Sequence, residues 1–469
     1  MIFIERRTNF LQVIQIKTDK QKTLNNKKAV YMKVGSIGAG ITGLTSAYDL
    51  SKAGHDVVVF ESSNQLGGHA STFEVLGTPL ERGYHHWFTS DDDILTLMEE
   101  VGLGNQVIWN KSSVGTFYNG HTYEFSTPFD ILKYKPLTLR ERILLGLSAT
   151  KIRNIKDWKS VEDFTAVEWL KKNINLNAYQ HFWYPMLQGK FGRQYYEDVG
   201  MAWLWGKMNT RFTSRKNILS KETLGYPKGS FKRLFDQLAS KSKINGTEIR
   251  LNTFVKEIHS SDQSVYGIST NNCNEIELFD AIICTTPSHI FRNLVKNISH
   301  DFSGSIHKVK YMAAVLLILV LDRSFTKYYW LNVADTEIPF VGIIEHTNLV
   351  PAFNYNGKTI LYISNYINSD DPLYGACKTE LIDKYTPHLM KINNSFDRSW
   401  ITDSFHQKVP DAQPIIEKNY SSKLTPHKTV IKNLYLANTS QIYPEDRGTN
   451  YGVRMSRLVT KMLLQINTF

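Results

Sequence analysis

The pattern of apolar and polar positions predicts alternating short strands and helices from Met32 onward. Residues 33–37 form a strand-like run, residues 44–53 repeat apolar positions at helical spacing, and residues 56–60 form a second apolar strand. This order of strand, turn, helix and strand is typical of an α/β nucleotide-binding unit on a parallel sheet. Residues 314–321, 340–345 and 359–366 alternate instead like strands of an antiparallel sheet.

The turn between the first strand and its helix carries three glycines in the pattern G-x-G-x-x-G. Gly38 permits the tight turn, Gly40 lets the backbone approach a pyrophosphate, and Gly43 lets the helix lie close to the strand. The helix N-terminus would hold the phosphates. Glu61 ends the second strand, where its carboxylate can accept ribose hydroxyls and would repel a 2′-phosphate. The turn therefore predicts a dinucleotide site that disfavours NADP, and it does not separate NAD from FAD.

A second pair of glycines, Gly67 and Gly68, follows soon after Glu61. The run from Gly38 to Gly68 resembles the FAD-binding signature of the flavin-containing amine oxidase superfamily, which includes phytoene desaturases and protoporphyrinogen oxidases. In that family the paired glycines let the chain pass close to the FAD diphosphate. The resemblance therefore implies FAD as the cofactor. The family often has an arginine after the pair, whereas this chain has His69.

Later segments are similar to the same family in the same order. Residues 80–88 resemble the segment that passes in front of the flavin ring, where the family usually has an aspartate near Glu81. Val255 lies in a predicted strand over residues 248–258 and matches the position whose backbone holds the adenine. Residues 280–287 resemble the strand that closes the nucleotide domain.

Residues 433–453 resemble the family's last strand and the helix start that points at the flavin pyrimidine. A helix N-terminus stabilises the negative charge that a reduced ring holds. This chain has Asn438 in place of the family's glycine, and it inserts residues 444–448 before the helix. Asp446 and Arg447 in that insertion either form an ion pair that shapes the loop or contact the cofactor.

Taken together, these motifs predict the residues of an FAD site. Residues 83–86 either lie next to the flavin or form a turn and strand whose aromatic face packs in the core. No catalytic residue is assigned, and no histidine or cysteine spacing indicates a metal site. The predicted cofactor-binding residues are Gly38, Ala39, Gly40, Thr42, Gly43, Glu61, Gly67, Gly68, His69, Gly83, Tyr84, His85, His86, Val255, Asn450 and Tyr451.

The matching segments are spread over nearly the whole chain, so we expect an α/β fold with a discontinuous, Rossmann-like FAD-binding domain and a second, α+β substrate domain. The expected FAD-binding domain comprises residues 32–104, 221–297 and 429–469, and the substrate domain comprises residues 105–220 and 298–428. Residues 1–31 carry seven basic and two acidic side chains. We expect this leader to be a disordered basic tail or the product of a misplaced start codon.

Composition indicates which kinds of partner and which cellular location are expected for the protein. The 55 Lys and Arg residues exceed the 44 Asp and Glu residues by too little, over 469 residues, to indicate a nucleic-acid-binding protein. Three widely spaced cysteines favour a reducing compartment, which predicts a cytoplasmic location. The apolar run 312–321 has about half the length needed to span a bilayer, so it predicts a buried strand. Residues 140–145 are either an amphipathic helix that meets a membrane or an ordinary solvated helix face.

The resemblance implies an FAD-dependent oxidoreductase that removes a hydride from a C–N or C–C unit of an amine, polyene or porphyrinogen-like substrate, with an unidentified electron acceptor. The aromatic-rich segment 181–212 is either core or the pocket for an apolar or planar substrate. A flavin-dependent sugar-nucleotide mutase stays open, and it would need arginines such as Arg193, Arg211 and Arg215 for a substrate diphosphate. An FAD-binding electron-transfer protein without its own turnover also stays open.

Overall fold

The computed structural model describes residues 31–466 except residues 216, 218, 219 and 274, so the predicted leader lies outside the described residues apart from Tyr31. The strands are β1 (Lys33–Ile37), β2 (Asp56–Phe60), β3 (Thr72–Val75), β4 (Thr78–Glu81), β5 (Trp87–Phe88), β6 (Val107–Lys111), β7 (Val114–Tyr118), β8 (His121–Glu124), β9 (Thr223–Pro227), β10 (Glu248–Arg250), β11 (Val255–Ser261), β12 (Ser264–Thr270), β13 (Glu277–Leu278), β14 (Ala281–Cys284), β15 (Tyr311–Leu321), β16 (Trp330–Val333), β17 (Gly342–Glu345), β18 (Thr359–Ile367), β19 (Ile401–Pro414) and β20 (Leu434–Leu436).

Helices connect these strands and also form a separate helical region between β8 and β9. A π-helix at Tyr179–Trp183 joins two of them. The α-helices are α1 (Ile41–Lys52), α2 (Asp92–Glu100), α3 (Leu139–Arg153), α4 (Ala166–Asn173), α5 (Leu176–Ala178), α6 (Tyr184–Tyr195), α7 (Met201–Thr213), α8 (Ser230–Ile244), α9 (Ser288–Leu294), α10 (His300–Ser305), α11 (Pro372–Gly375), α12 (Lys378–Ile392) and α13 (Thr449–Ile466).

A five-stranded parallel sheet has the order β10-β2-β1-β14-β20. Both of its faces are covered, because side chains alternate between two cores along each strand. In β2, Val57 and Val59 pack into the core that contains the side chains of α1, α8 and α13, whereas Val58 and Phe60 pack against β11 and β12. The predicted α/β fold with a Rossmann-like parallel sheet is confirmed.

Two details of this sheet differ from the prediction. The single strand expected over residues 248–258 is two strands, because the chain turns at Asn252, where φ is +51°. The N–H of Thr253 then donates to the carbonyl oxygen of Glu61 at 2.8 Å. As a result β10 joins the parallel sheet and β11 joins the antiparallel sheet β11-β12-β13. The strand expected to close the domain, β14, lies inside the sheet, and β20 forms its edge.

A seven-stranded sheet has the order β19-β15-β18-β17-β16-β7-β8, and all of its pairs are antiparallel except β16 with β7. The apolar run 312–321 lies in β15, between β18 and β19, as a buried strand. Leu316 and Ile318 face the core shared with the parallel sheet, whereas Leu317 and Leu319 face a core that includes side chains of α12. The three strands predicted for this region are confirmed.

The aromatic-rich helical region forms a core of its own. Trp183, Phe191 and Trp203 are buried in it, and the ring centroids of Phe191 and Trp203 are 4.8 Å apart at 83°. Most of the aromatic side chains of this segment therefore stabilise the fold rather than line a pocket. Within the described part of the chain, no helix is both long enough and apolar enough to cross a bilayer.

Candidate functional site

The glycine turn after β1 brings the start of α1 to the edge of a large cavity. Gly38 has a φ of +104°, and its N–H donates to the carbonyl oxygen of Phe60 at 2.8 Å. A Cβ on Gly43 would lie 1.9 Å from the Gly38 carbonyl oxygen, so a larger residue would push α1 away. Gly40 precedes α1 in an extended conformation, and no side chain caps the helix. The first amide groups of α1 are therefore available to an anion.

The carboxylate of Glu61 is tied to this turn at the end of β2. Its Oε2 accepts a hydrogen bond from the N–H of Ala39 at 2.8 Å, and its Oε1 accepts one from the N–H of Ser63 at 2.9 Å. Glu61 is buried and lines the cavity. Oε1 also accepts the Ser62 hydroxyl at 3.4 Å, so the second lone pair of Oε2 is the one that can accept a hydroxyl in the cavity.

The second glycine pair passes directly beside the first turn. The N–H of Gly67 donates to the carbonyl oxygen of Ala39 at 2.9 Å, and a Cβ on Gly68 would lie 3.3 Å from the Cα of Gly40. Both Gly67 and Gly68 have positive φ, at +108° and +57°. The two glycine segments therefore form one backbone surface with little side-chain bulk.

His69 follows this pair as a neutral side chain. Burial, the nearby guanidinium of Arg447 and the ring of His85 together lower its pKa to about 4. A neutral imidazole cannot replace the charge of the arginine that the related proteins often have here. The positive charge nearby belongs to Arg447, which lies far along the chain.

The segment after β4 forms a wall of the cavity through Gly83, Tyr84, His85 and His86. The Tyr84 hydroxyl lies 3.3 Å from that of Tyr366, and the Nδ1 of His86 lies 2.9 Å from the Tyr329 hydroxyl. Burial lowers the pKa of His85 to about 4 and that of His86 to about 3. Both rings are therefore uncharged at neutral pH.

Glu81 anchors this wall from inside the protein. Its fully buried carboxylate accepts hydrogen bonds from the Tyr226 hydroxyl and the N–H of Phe231, both at 2.8 Å. Its backbone carbonyl accepts the hydroxyl of Tyr362 at 2.7 Å. Burial raises the pKa of Glu81 to about 7, although the two hydrogen bonds to the carboxylate lower it in part.

The N-terminus of α13 meets the same cavity from another side. The N–H of Ile94 donates to the Asn450 side chain at 3.0 Å, and the indole N–H of Trp87 donates to the Thr449 hydroxyl at 2.9 Å. Gly452 lies against Ile41 of α1. Two helix N-termini therefore converge on one space, and each favours negative charge near it.

All of these segments border one cavity of about 490 Å³. Every predicted cofactor residue except Ala39 and Gly43 lines it, and those two shape the turn from behind. Val255, at the start of β11, is among the lining residues. The cavity also has an apolar wall formed by Ala314, Leu316, Trp330, Val409, Ala412 and Ile442.

Comparison with known proteins connects this geometry to a family. The family model for flavin containing amine oxidoreductases matches residues 41–445, which is most of the chain. The chain belongs to this family. Membership implies FAD as the cofactor, and the recognition made from the glycine motifs is confirmed.

Curated relatives and a solved structure agree with this family. Coproporphyrinogen III oxidase of Staphylococcus aureus is 26% identical over 291 residues, which cover 55% of this chain and 61% of the relative. The 15-cis-phytoene desaturase of an Oncidium hybrid cultivar is 23% identical over 349 residues, which cover 70% of this chain and 58% of the relative. The matched regions thus span less than two thirds of either relative. Reduced UDP-galactopyranose mutase shares the fold, with a TM-score of 0.73 at 14% identity over 93% of this chain and 96% of that chain.

The cavity fits the cofactor of the flavin containing amine oxidoreductases. A dinucleotide needs a close approach of backbone to its diphosphate, and the paired glycine segments provide a surface that a Cβ would obstruct. It also needs an acceptor for its ribose hydroxyls, and the Glu61 carboxylate lines the cavity at the end of β2. Among the described residues, no group of three His, Cys, Asp or Glu side chains is arranged to hold a metal ion.

Sequence reasoning missed two lysines that join Asp446 and Arg447 at this cavity. Lys190 on α6 and Lys207 on α7 both bind Asp446 Oδ2, at 3.1 and 3.0 Å. The guanidinium of Arg447 donates to the Tyr366 hydroxyl at 2.8 Å. Asp446 therefore pairs with two lysines, and this differs from the ion pair with Arg447 that was one expectation for the loop.

The three arginines considered for a substrate diphosphate do not converge. Arg211 lines the cavity, where its guanidinium lies 3.6 Å from Glu222. Arg193 is exposed on α6, and Arg215 lies near Arg211 and Glu222 outside the lining of the cavity. The positive charge at the cavity comes from Arg211 together with Lys190, Lys207 and Arg447.

Proposed function

We propose that this protein is an FAD-dependent oxidoreductase that removes a hydride from a C–N or C–C unit of an amine, polyene or porphyrinogen-like substrate. The observation that carries the proposal is that one cavity combines a dinucleotide-type glycine turn with an apolar and aromatic wall. Membership of the flavin containing amine oxidoreductase family supports it. When bound, FAD supplies a ring system that accepts a hydride.

In this proposal the chain binds the two ends of FAD with different elements. The N-terminal amides of α1 and the two glycine segments bind the diphosphate. Glu61 accepts the ribose hydroxyls, and the backbone at Val255 holds the adenine. Residues 83–86 and the N-terminus of α13, at Asn450 and Tyr451, face the ring system.

The substrate would lie against a rigid aromatic wall. The rings of Tyr84 and Trp330 meet edge to face, with centroids 4.8 Å apart at 90°. The hydroxyl of Tyr84 is held by Tyr366 and by Ser364, at 3.3 and 3.4 Å. A wall fixed in this way orients an apolar or planar body and excludes water from it.

We also propose the division of the chain into a discontinuous FAD-binding domain, residues 32–104, 221–297 and 429–469, and a substrate domain, residues 105–220 and 298–428. The parallel sheet supports it, since its strands come from residues 33–60, 248–284 and 434–436. The helical core and the seven-stranded sheet support the second part, because their members come mostly from the intervening residues.

The first test is the visible spectrum of the purified full chain, with the released cofactor identified by its mass. Flavin bands and FAD are expected. Glu61→Gln should bind FAD roughly tenfold more weakly because it loses a charged hydrogen-bond acceptor. The exposed Glu74→Gln serves as the matched control. A colourless protein that refuses FAD and binds NAD would overturn the proposal.

The second test is anaerobic mixing of the flavin-loaded protein with amines, polyenes and porphyrinogens. Bleaching of the flavin bands by one class identifies the class that donates the hydride. If no compound of any class bleaches the flavin, the oxidoreductase proposal is contradicted. The alternative, an FAD-binding electron-transfer protein without its own turnover, then replaces it.

A flavin-dependent sugar-nucleotide mutase is the second candidate, because four cationic side chains line the cavity and could hold a diphosphate. The reduced protein mixed anaerobically with sugar nucleotides separates the two functions. Isomerisation without net flavin oxidation would favour the mutase and contradict the oxidoreductase proposal.

We further propose peripheral contact with a membrane surface from the cytoplasmic side. Leu139, Ile143 and Leu147 are 62, 50 and 53% exposed and repeat every four residues on α3. Exposed basic side chains at Lys133 and Arg140 lie in the same region, which suits anionic lipid. The three cysteines, all free, suit a reducing compartment.

Sedimentation with phosphatidylserine and phosphatidylcholine vesicles tests this contact. The wild-type protein should sediment with phosphatidylserine vesicles, and Leu139→Ser with Ile143→Ser should abolish this. Leu278→Ser is the control, since Leu278 is 64% exposed on a different surface. Equal behaviour of the test and control variants would refute the contact.

A further inference from the structure

A cluster of three cations and one carboxylate lines the same cavity as the glycine turn. Lys190, Lys207 and Asp446 meet at distances of 3.1 and 3.0 Å, and Arg447 is the next residue along the chain. The lysines come from α6 and α7, which pack in the helical core, and not from the elements around the parallel sheet. The cluster carries more positive than negative charge.

Hydrogen bonding within this cluster leaves donors unused. Asp446 is saturated, because its Oδ2 accepts from both lysines and its Oδ1 accepts from the N–H of Arg447 at 3.0 Å, the indole of Trp203 at 3.3 Å and the side-chain amide of Gln413 at 3.4 Å. Each ammonium has three donors, and in the described residues each gives one to Asp446. The Nε of Arg447 is buried and has no partner among the described residues.

Other charged side chains at the cavity do not neutralise the excess positive charge of the cluster. Arg211 has its own partner in Glu222, at 3.6 Å. Asp91, another carboxylate of the lining, accepts the N–H of Phe88 at 2.9 Å. Buried charges are costly unless they are paired and hydrogen-bonded. The unused donors of the cluster are therefore available to an anionic acceptor in the cavity.

We propose that the cluster of Lys190, Lys207 and Arg447 binds an anionic group of the substrate, a carboxylate or a phosphate. The inference rests on the proposed function, and it narrows the substrate to an acid with an apolar or planar body. The acid lies at the cluster, and the body lies against Leu316 and Trp330. Lysine and arginine donors form stronger hydrogen bonds to such charged oxygens than to neutral acceptors.

The test titrates the flavin-loaded full-length protein with two probe anions, hexanoate and inorganic phosphate, at constant ionic strength in chloride. Changes in the visible flavin spectrum give the dissociation constant of each, and hexanamide is the uncharged control ligand. Lys190→Gln and Lys207→Gln should each weaken the binding roughly tenfold or more. Arg193→Gln on α6 should leave it unchanged, since Arg193 is exposed. Lys207→Arg should restore it if the charge is what matters.

The outcomes separate the possible roles of the cluster. Tighter binding of hexanoate indicates a carboxylate substrate, and tighter binding of phosphate indicates a phosphorylated one. The inference is overturned if neither anion binds, or if the lysine variants lose FAD affinity while their anion binding is unchanged. If the protein holds no flavin, the proposed function fails. Calorimetric titration of the same variants with the same anions then still decides whether the cluster binds an anion.

Discussion

Gly43 and Gly38 approach so closely that a Cβ on Gly43 would lie 1.9 Å from the Gly38 carbonyl oxygen. This approach lets α1 begin at the cavity, with its first amides turned to the same space as the glycine pair 67–68. Close contact of a helix with the preceding turn is what the third glycine of a dinucleotide motif permits. Glycine at position 43 therefore makes the N-terminus of α1 available to bind an anion.

Gly43→Ala should displace α1 and lower FAD affinity at least about tenfold, because the N-terminal amides would no longer meet the diphosphate. The measurement is the ratio of flavin to protein after dialysis, together with urea unfolding. Gly146→Ala on α3 is the control, since a Cβ there meets open space. Alanine in that helix should raise stability by about 0.5–1 kcal/mol. Full flavin retention by Gly43→Ala would contradict the argument.

Glu81 should make the stability of the protein fall as the pH rises from about 4.5 to about 7. Burial raises its pKa from 4.5 to about 7 in the folded protein, so the folded state keeps a proton that the unfolded chain releases. The shift corresponds to roughly 3 kcal/mol, lost across this window and constant above it.

Glu81→Gln should flatten this pH dependence, because the amide resembles the protonated acid. Urea unfolding at about pH 5 and about pH 8 measures the free energy of unfolding for both proteins. The exposed Glu74→Gln should behave like the wild type. Identical pH dependence in Glu81→Gln and the wild type would show that this carboxyl is ionised when folded.

The parallel sheet and its glycine turn could be predicted because their signals are local. The turn at Gly38, the helix and the strand ending at Glu61 lie close together in the sequence, and their apolar positions follow one period. The longest strand, β19, could not be predicted in this way. Its sequence is mostly polar, and it is held by pairing with β15, where Leu317 lies opposite His406.

The charged cluster at the cavity could not be predicted for a different reason. Lys190 and Lys207 are separated from Asp446 by 256 and 239 positions, and neither lysine belongs to a motif. Their convergence depends on how α6 and α7 pack against the loop before α13. A surplus of lysine in the composition gave no indication that these two would be buried together.

Leu317→Ala should lower the free energy of unfolding by about 2–5 kcal/mol, because Leu317 is fully buried in the core between the seven-stranded sheet and α12. Leu278→Ala, at an exposed position, should change it by no more than about 0.5 kcal/mol. Urea unfolding measures both. A small effect at Leu317 would mean that its side chain is not closely packed between the sheet and α12.

Binding of an anion at the cluster should weaken as the pH rises past about 8. Burial and the neighbouring charges of Lys190 and Arg211 lower the pKa of the Lys207 ammonium to about 8, although Asp446 opposes them in part. Of the other groups close to it, His86 is neutral throughout this range, because burial lowers its pKa to about 3. Below pH 8 Lys207 carries the charge that an anion needs, and above it the charge is lost.

Lys207→Arg should extend tight binding to higher pH, because a guanidinium keeps its proton. The dissociation constant of hexanoate, measured from the flavin spectrum between about pH 6 and about pH 10, checks this. The pKa of Lys190 is also lowered by burial, so a second decline at high pH is expected in both proteins. If both proteins show the same midpoint near pH 8, the titrating group is not Lys207.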